Sequence, residues 1–417
     1  MDLSELAVGL GLPREFPEQW AAVSGEAPDA TPFFLRDEYF LEAREFCGLD
    51  AGVDDALRRT AAQILADQRL TRLAWLAHHA LFADFEAPLG PWPSLDHLLG
   101  EDAGVFYLLV ALGMVGQARE AYVRRGVPAD IARDSCREVA CFCGNHQVSH
   151  GTPGLHARQL AWLRNYAAGR MYRLGRLEYR LEKLGAKLHV FRDRKSGDKL
   201  ALAGEGQQFG ADGRPVAEGG WTASFKAGAD AIEGYPINPE GVVVQSLVSL
   251  DPRSWEPLLA TGDWILDMHI PAGGGLTPEA CHDSSRRAFE FFHQLHPELK
   301  LPAICCQCSW IFNTQFEEAL PNSNLAKFDR ELYLYPVLSK GDDGLWFVFC
   351  KDYADWSEAP RDSSLRRAML DVVCSGGKLR SAGMLLFEEE LPLFGSSPYR
   401  QAWRRLVKEG LSLPTRS

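Results

Sequence analysis

The sequence predicts an α+β protein, with a helical N-terminal bundle followed by a mixed α/β region on a central sheet. Three observations predict this. Residues 1–160 carry apolar side chains at helical spacing and show no strand signal. After Leu174 the pattern changes to period-two alternation, with turn residues between short runs. A length of 417 residues is too great for one ordinary core and points to about two domains. The change of texture divides them at 1–160 and 161–417.

In the first part, residues 56–83 place Leu57, Ala61, Leu65, Leu70, Leu73, Leu76 and Leu81 on a helical stripe behind a candidate N-cap, Asp54. Pro88-Leu89-Gly90-Pro91-Trp92-Pro93 bars helix beyond it. A second apolar helix is predicted over 105–124 and a third after Pro128, which together suggest a bundle.

In the second part, residues 187–192 and 199–203 flank Lys195-Ser196-Gly197-Asp198 as a hairpin. Residues 242–250 form a β-branched run. Strand 264–270, helix 278–295, strand 302–310 and a helix near 314–328 follow. Residues 332–338 and 345–350 read as a hairpin around Asp342-Asp343-Gly344. A helix at 364–374 stops at Gly376-Gly377, and a strand at 384–388 and a helix at 399–409 complete the chain.

Composition narrows the function. Hydrophobic residues at 46% and charged residues at 24% are the balance of a soluble globular protein. A formal net charge of -12 argues against nucleic acid or an anionic membrane as a non-specific partner, since both need basic surfaces. The acidic start Met1-Asp2-Leu3-Ser4-Glu5 is unlike a secretion signal. The apolar run 105–112 is far shorter than the ~20 residues of a membrane helix. Ten cysteines without an export signal read as reduced thiols, so the expected location is cytoplasmic.

The most informative segment is 263–292. On strand 264–270, Ile265, Asp267 and His269 share one face and Trp264, Leu266, Met268 and Ile270 the other. Pro271 ends the pairing. Ala272-Gly273-Gly274-Gly275 permits positive φ. Thr277 is suited to N-cap, Pro278 to the first helical position and Glu279 to the first turn. The N–H groups of such a loop and helix start can bind an anion such as a pyrophosphate. Three glycines can equally make only a tight β-to-α turn. His269 is a candidate proton acceptor, and Asp267 on the same face needs a partner if buried. Their pairing is structural or functional, and sequence alone does not separate the two.

Several stretches together carry a family resemblance. They are Arg173-Leu174-Gly175-Arg176-Leu177-Glu178-Tyr179, then His269-Ile270-Pro271 with the glycine loop and Leu276-Thr277-Pro278-Glu279-Ala280-Cys281. Cys308-Ser309-Trp310 and Leu320-Pro321-Asn322-Ser323-Asn324-Leu325 with Phe328 follow. The chain resembles a bacterial family of N-acyltransferases with a helical N-terminal domain and a GNAT-like C-terminal domain. The resemblance implies an acyl-CoA co-substrate, no metal, and a small-molecule amine or peptide as acceptor. It implies that the pyrophosphate sits on Gly273, Gly274, Gly275, Leu276 and Thr277, and that the pantetheine arm lies between splayed strands 264–270 and 302–310. His269 is then the base, with Asp267 or Glu178 as alternatives. Ser309 faces the reaction centre, and the Ser309 and Trp310 N–H groups are oxyanion donors. The sequence departs from the usual loop pattern at Ile270, where Arg or Gln is expected. No tyrosine falls between Asn313 and Phe328 to act as general acid. Ser323 is the nearest hydroxyl there, and with Asn324 it either contacts the cofactor or caps a helix. These departures keep open a non-catalytic module that binds acyl-CoA, another nucleotide or a protein in the same cleft.

Other residue sets compete. Cys136, Cys141, Cys143, His146, His150 and His156 are metal-ligating types, but they lack paired C-x2-C knuckles. If the segment is one helix, Cys136, Cys143, His146 and His150 form one stripe. Cys305, Cys306 and Cys308 lie on a predicted strand as buried thiols, or Cys308 acts as a nucleophile with His269. Arg170, Arg173, Arg176, Arg286 and Arg287 either meet CoA phosphates or form ion pairs.

Overall fold

The structure, a computed structural model, describes residues 2–23 and 30–408. It forms two compact units, Met1–Arg173 with Pro271–Gly273, and Leu174–Ile270 with Gly274–Ser417.

The first unit is helical. Its main helices are α1 (Leu3–Leu10), α2 (Asp37–Phe46), α3 (Asp54–Ala66), α4 (Gln68–Phe82), α5 (Ala103–Leu112), α6 (Val115–Arg124), α7 (Ala129–Cys136) and α8 (Glu138–His150). The stripe over 56–83 is carried by two helices rather than one. Asp67 leaves helical geometry and caps α4 by accepting from the Arg69 N–H. Asp54 is the first residue of α3 rather than its cap, which is Val53. α5 is buried all round and forms the centre of the unit. The stretch Asp96–Arg124 is long and apolar enough to cross a membrane, but 78% of its most apolar window is buried inside the protein. Arg164 donates to the carbonyls of Ala80, Leu81, Phe85 and Ala87, which serves the unsatisfied C-terminal end of α4.

The second unit holds strands β1 (Leu177–Lys183), β2 (Leu188–Asp193), β3 (Lys199–Ala203), β4 (Pro236–Asn238), β5 (Trp255–Ala260) and β6 (Trp264–His269). Helix α9 (Pro278–Leu295), strand β7 (Ala303–Ser309), helices α10 (Thr314–Ala319) and α11 (Asn324–Asp329), and strand β8 (Tyr333–Pro336) follow. Then come α12 (Leu345–Phe349), α13 (Ser364–Cys374), β9 (Ala382–Phe387) and α14 (Pro398–Lys408). Within the central sheet, these strands lie in the order β1-β6-β7-β9-β8. β6 and β7 are parallel and the other neighbours antiparallel. A second sheet contains β4-β3-β2-β5, and its β2/β3 pair is the hairpin expected around Lys195-Ser196-Gly197-Asp198.

Three expectations for the second unit change. The run 242–250 splits into strands Val242–Val243 and Val248–Leu250 in different sheets, interrupted by polar Gln245-Ser246. The helix near 314–328 is two helices, because Pro321 breaks the chain and Ser323 caps the second. The second strand of the 332–350 hairpin is instead helix α12. A five-residue apolar run does not distinguish strand from helix. Helical spacing here lets Leu345 and Phe349 enter a cluster with Phe316, Met369 and Leu370. Strand β8 pairs with β9 instead. The predicted last helix is α14, and its expected end at Glu409 lies outside the described residues.

Candidate functional site

β6 is the spine of the site. One face, Leu266 and Met268, is buried in the core. On the neighbouring strand β1, the Leu177 N–H and the Tyr179 hydroxyl both donate to Ser284 Oγ on α9. α9 itself buries Cys281, Ser284, Ser285, Ala288, Phe289 and Phe292, a stripe at helical spacing.

The opposite face of the β1/β6 ladder is charged. Register sets Asp267 opposite Arg180 and His269 opposite Glu178, and opposite residues on such a ladder share a face at roughly 5 Å. Asp267 is 3% exposed. Its Oδ2 accepts from Arg180 Nε at 3.0 Å and meets His269 Nε2 at 2.8 Å. A buried carboxylate without partners would be costly, and these two contacts supply them. Glu178 is buried across from His269, and Glu182 lies 3.4 Å from the Arg180 guanidinium. With the Nε2 proton directed at Asp267, a neutral His269 ring carries its lone pair on Nδ1. The ring is partly exposed, with 26% of the side chain accessible.

β6 and β7 part company along their length. Their parallel register covers only Leu266↔Ile304 and Asp267↔Cys305. β6 continues to His269 on its β1 partner, and β7 continues to Ser309, with an irregularity against β9 between Cys306 and Ser309. The two strands therefore open after Asp267, and His269 and Ser309 lie beyond the point of divergence.

The loop after β6 is exposed at Gly273, Gly274 and Gly275. Gly273 and Gly274 have φ of +89° and +58°, which a side chain would resist. Thr277 caps α9 by accepting from the Ala280 N–H at 3.3 Å, and Pro278 opens the helix. Arg176 ties the loop down. Its Nε donates to the Gly275 carbonyl and its Nη2 to the Gly274 carbonyl, each at 3.2 Å. Ile270 is half-buried, and a guanidinium is supplied beside the loop by Arg176 instead. Asn324 Nδ2 is 3.6 Å from where a Gly275 Cβ would stand, so the start of α11 borders the loop. Leu276 is half-buried at the loop's end.

Ser309 Oγ accepts from the Ile311 N–H, and Ser323 Oγ accepts from the Ala326 N–H as the cap of α11. The Trp310 ring leaves the strand for the α12–α13 cluster, against Gly344 and Phe316. Cys305 and Cys306 are buried as expected, and burial pushes their thiols up; Cys308 is instead exposed at the strand's end, and desolvation still pushes its thiol up, away from the reactive thiolate. Arg170 and Arg173 pair with Glu86 and Glu138, and Arg286 and Arg287 with acids of their own helix.

The segment of the metal-type residues is two helices, since Arg137 separates α7 from α8. His146 Nδ1 meets the Thr152 carbonyl, Ser149 Oγ bridges His150 and His156, and Cys141 lies against Arg173. Among the described residues no set of three His, Cys, Asp or Glu is arranged to hold a metal ion. Arg176 donates to the loop carbonyls rather than forming the phosphate contact or ion pair expected of it. Arg180, the partner of Asp267, is not singled out by the sequence, and the alternation Glu178, Arg180, Glu182 is the signal that marks it.

A family model described as a GNAT-like C-terminal domain matches residues 171–385, and one described as an N-acyltransferase N-terminal domain matches residues 41–169. A mutant acyltransferase solved in complex with octanoyl-CoA superposes with a TM-score of 0.63 at 21% identity, covering 93% of this chain and 99% of that one. An acyltransferase solved with decanoyl-CoA and teicoplanin gives the same values. One solved with CoA and 10C-teicoplanin gives 0.63 at 20% identity with the same coverage. No curated protein matches the chain.

Proposed function

We propose, from the premise that this chain belongs to the family with a GNAT-like C-terminal domain, that it is an N-acyltransferase moving an acyl group from acyl-CoA to an amine. The observation that carries the reading is the divergence of β6 and β7 after Asp267↔Cys305, with the His269–Asp267 pair at its lip and the glycine loop next in sequence. A strand pair that stops bonding leaves backbone groups and a slot, which an extended pantetheine arm fills by strand-like hydrogen bonds. The N-terminal N–H groups of α9, together with the loop, receive the diphosphate.

In the reaction the amine nitrogen attacks the thioester carbonyl. The C–N bond forms, the C–S bond breaks, and CoA leaves as thiolate. His269 Nδ1 takes the proton released by the amine and delivers it toward the departing sulfur. Asp267 is a positioning residue that holds the Nε2 proton and offsets the imidazolium charge. Arg180 in turn holds Asp267. In this reading the N–H groups of Ser309 and Trp310, at the end of β7, serve as the oxyanion donors. The acceptor is a small molecule or peptide. The solved acyltransferases hold octanoyl-CoA, decanoyl-CoA and teicoplanin, which makes medium-chain acyl-CoA the first donor to try. The same proposal places the protein in the cytoplasm, where its ten thiols stay reduced.

The test has two stages. CoA and octanoyl-CoA should raise the melting temperature by mass action, and wild-type protein should release thiol from octanoyl-CoA with some member of an amine panel. His269→Ala should abolish release while CoA still binds. No thermal shift at millimolar ligand would remove the acyl-CoA reading. A shift without release across the panel would favour a binding module.

A further inference from the structure

β7 breaks register with β9 just where it stops pairing with β6. Cys306 pairs with Met384 of β9 and Ser309 with Ala382, so Gln307 and Cys308 stand against the single residue Gly383. One extra residue on a strand is a β-bulge, which disrupts the ladder locally and leaves backbone groups to find other partners. Pairing of β7 with β6 ends at Cys305, immediately before this bulge.

A tyrosine from two strands away reaches the bulge. β9 separates β8 from β7, and Tyr335 of β8 stands directly opposite Gly383. The Tyr335 ring lies over that glycine. A Cβ at 383 would stand 2.0 Å from Tyr335 Cζ and 2.4 Å from the hydroxyl oxygen. Only glycine therefore lets the ring cross β9. The hydroxyl then meets Cys305 Sγ at 3.3 Å, the Gln307 carbonyl at 3.4 Å and the Cys306 carbonyl at 3.5 Å. One O–H shared between two carbonyls makes a three-centre bond with long legs. In an inner strand, successive carbonyls serve the neighbours on alternate sides. Here both turn to one hydroxyl, at the residues where bonding to β6 stops. Tyr335 is 2% exposed, and burial pushes its phenol well above the ordinary value. It stays a neutral donor to the backbone, so it does not replace the general-acid tyrosine that 313–328 lacks.

We propose that Tyr335 is a positioning residue for acyl transfer: its hydroxyl holds the Cys306 and Gln307 carbonyls, keeps β7 bulged away from β6, and thereby fixes where the Ser309 and Trp310 N–H groups stand. Gly383 is the partner that makes this reach possible. The catalytic consequence rests on the acyltransferase reading, but the hold on β7 does not require it.

The experiment compares full-length wild type, Tyr335→Phe and Tyr333→Phe. Tyr333 is the control. It lies two residues away on β8 and is as deeply buried, but its hydroxyl donates to the Ile237 carbonyl and accepts from the Ala201 N–H, both in the second sheet. Each variant loses one buried hydroxyl and keeps its ring, so both should fold and melt at similarly lowered temperatures. The readouts are thiol release from octanoyl-CoA and hydrogen–deuterium exchange without ligand. Tyr335→Phe should speed exchange across residues 306–311 about tenfold and lower kcat about tenfold, with the KM for octanoyl-CoA within threefold. Tyr333→Phe should leave all three at wild-type values. Unchanged exchange across 306–311 in Tyr335→Phe overturns the proposal. A kcat within threefold of wild type, or an equal loss of kcat in both variants, also overturns it. Wild type that releases no thiol with any amine strikes the acyltransferase reading instead, and the exchange comparison still decides whether Tyr335 holds β7.

Discussion

Asp267→Asn is the substitution that best separates a working pair from a structural one. Both contacts of Asp267 converge on one oxygen, from Arg180 Nε at 3.0 Å and His269 Nε2 at 2.8 Å. An amide oxygen can accept both, so the geometry survives and only the charge is removed. The charge matters when His269 takes the proton from the attacking amine. With charge centres ~4 Å apart and an effective dielectric of ~20, the carboxylate stabilises an imidazolium by about 4 kcal/mol. Partial exposure of the ring reduces this, leaving a fall in kcat of about 10²- to 10³-fold. In the ground state Arg180 loses one anionic partner but keeps Glu182 at 3.4 Å, so the fold should lose only ~1–2 kcal/mol. The assay is thiol release from octanoyl-CoA at saturating amine, with CoA titration and thermal melting alongside. The expected result is a large loss in kcat, CoA affinity unchanged within about threefold, and a small drop in melting temperature. A variant within threefold of wild-type kcat would refute the assigned role of Asp267.

Three further outcomes are expected. Arg176→Ala removes two donors to the loop carbonyls of Gly274 and Gly275; at ~1 kcal/mol for such exposed contacts, calorimetry should show CoA affinity falling about fivefold, and an unchanged affinity would mean that Arg176 does not shape the loop. Gly383→Ala places a methyl group against the Tyr335 ring, its partner across the β8/β9 ladder; overpacking of this kind costs ~1–3 kcal/mol, so the melting temperature should drop by several degrees, and no drop would contradict the packing. Burial holds His78, stacked on Phe34, down to about 4 from the ordinary 6.5. The unfolded chain therefore takes up this proton first as pH falls below about 6.5. Its effect on stability is nil above that pH and grows by at most ~1.4 kcal/mol per pH unit toward pH 4. Melting of His78→Gln should be flatter than wild type between pH 7 and 5, and parallel curves would deny the effect.

The strand, loop and helix around Asp267 were readable because each carries local punctuation. Pro271, Gly273, Gly274, Thr277 and Pro278 all act within a few residues of themselves, and α9 spans the expected 278–295. The His269–Asp267 contact was legible as a shared face. Its anchor Arg180 was not, since strand register depends on partners more than 80 residues apart in sequence. Arg176 stands out in the sequence as a candidate for a phosphate or an ion pair, but its contacts with the Gly274 and Gly275 carbonyls, almost 100 residues away, do not. α12 was misread because Trp346, Phe347, Val348 and Phe349 favour strand locally, and only the cluster with Met369 and Leu370 decides for helix.

Hydrogen–deuterium exchange on the full chain with and without octanoyl-CoA tests the central claim most directly. Ligand in the β6/β7 opening should slow exchange in peptides covering residues 268–280 and 306–311, and leave β2 and β3 unchanged. Protection confined to other segments, with none at the glycine loop or the end of β7, would contradict the account.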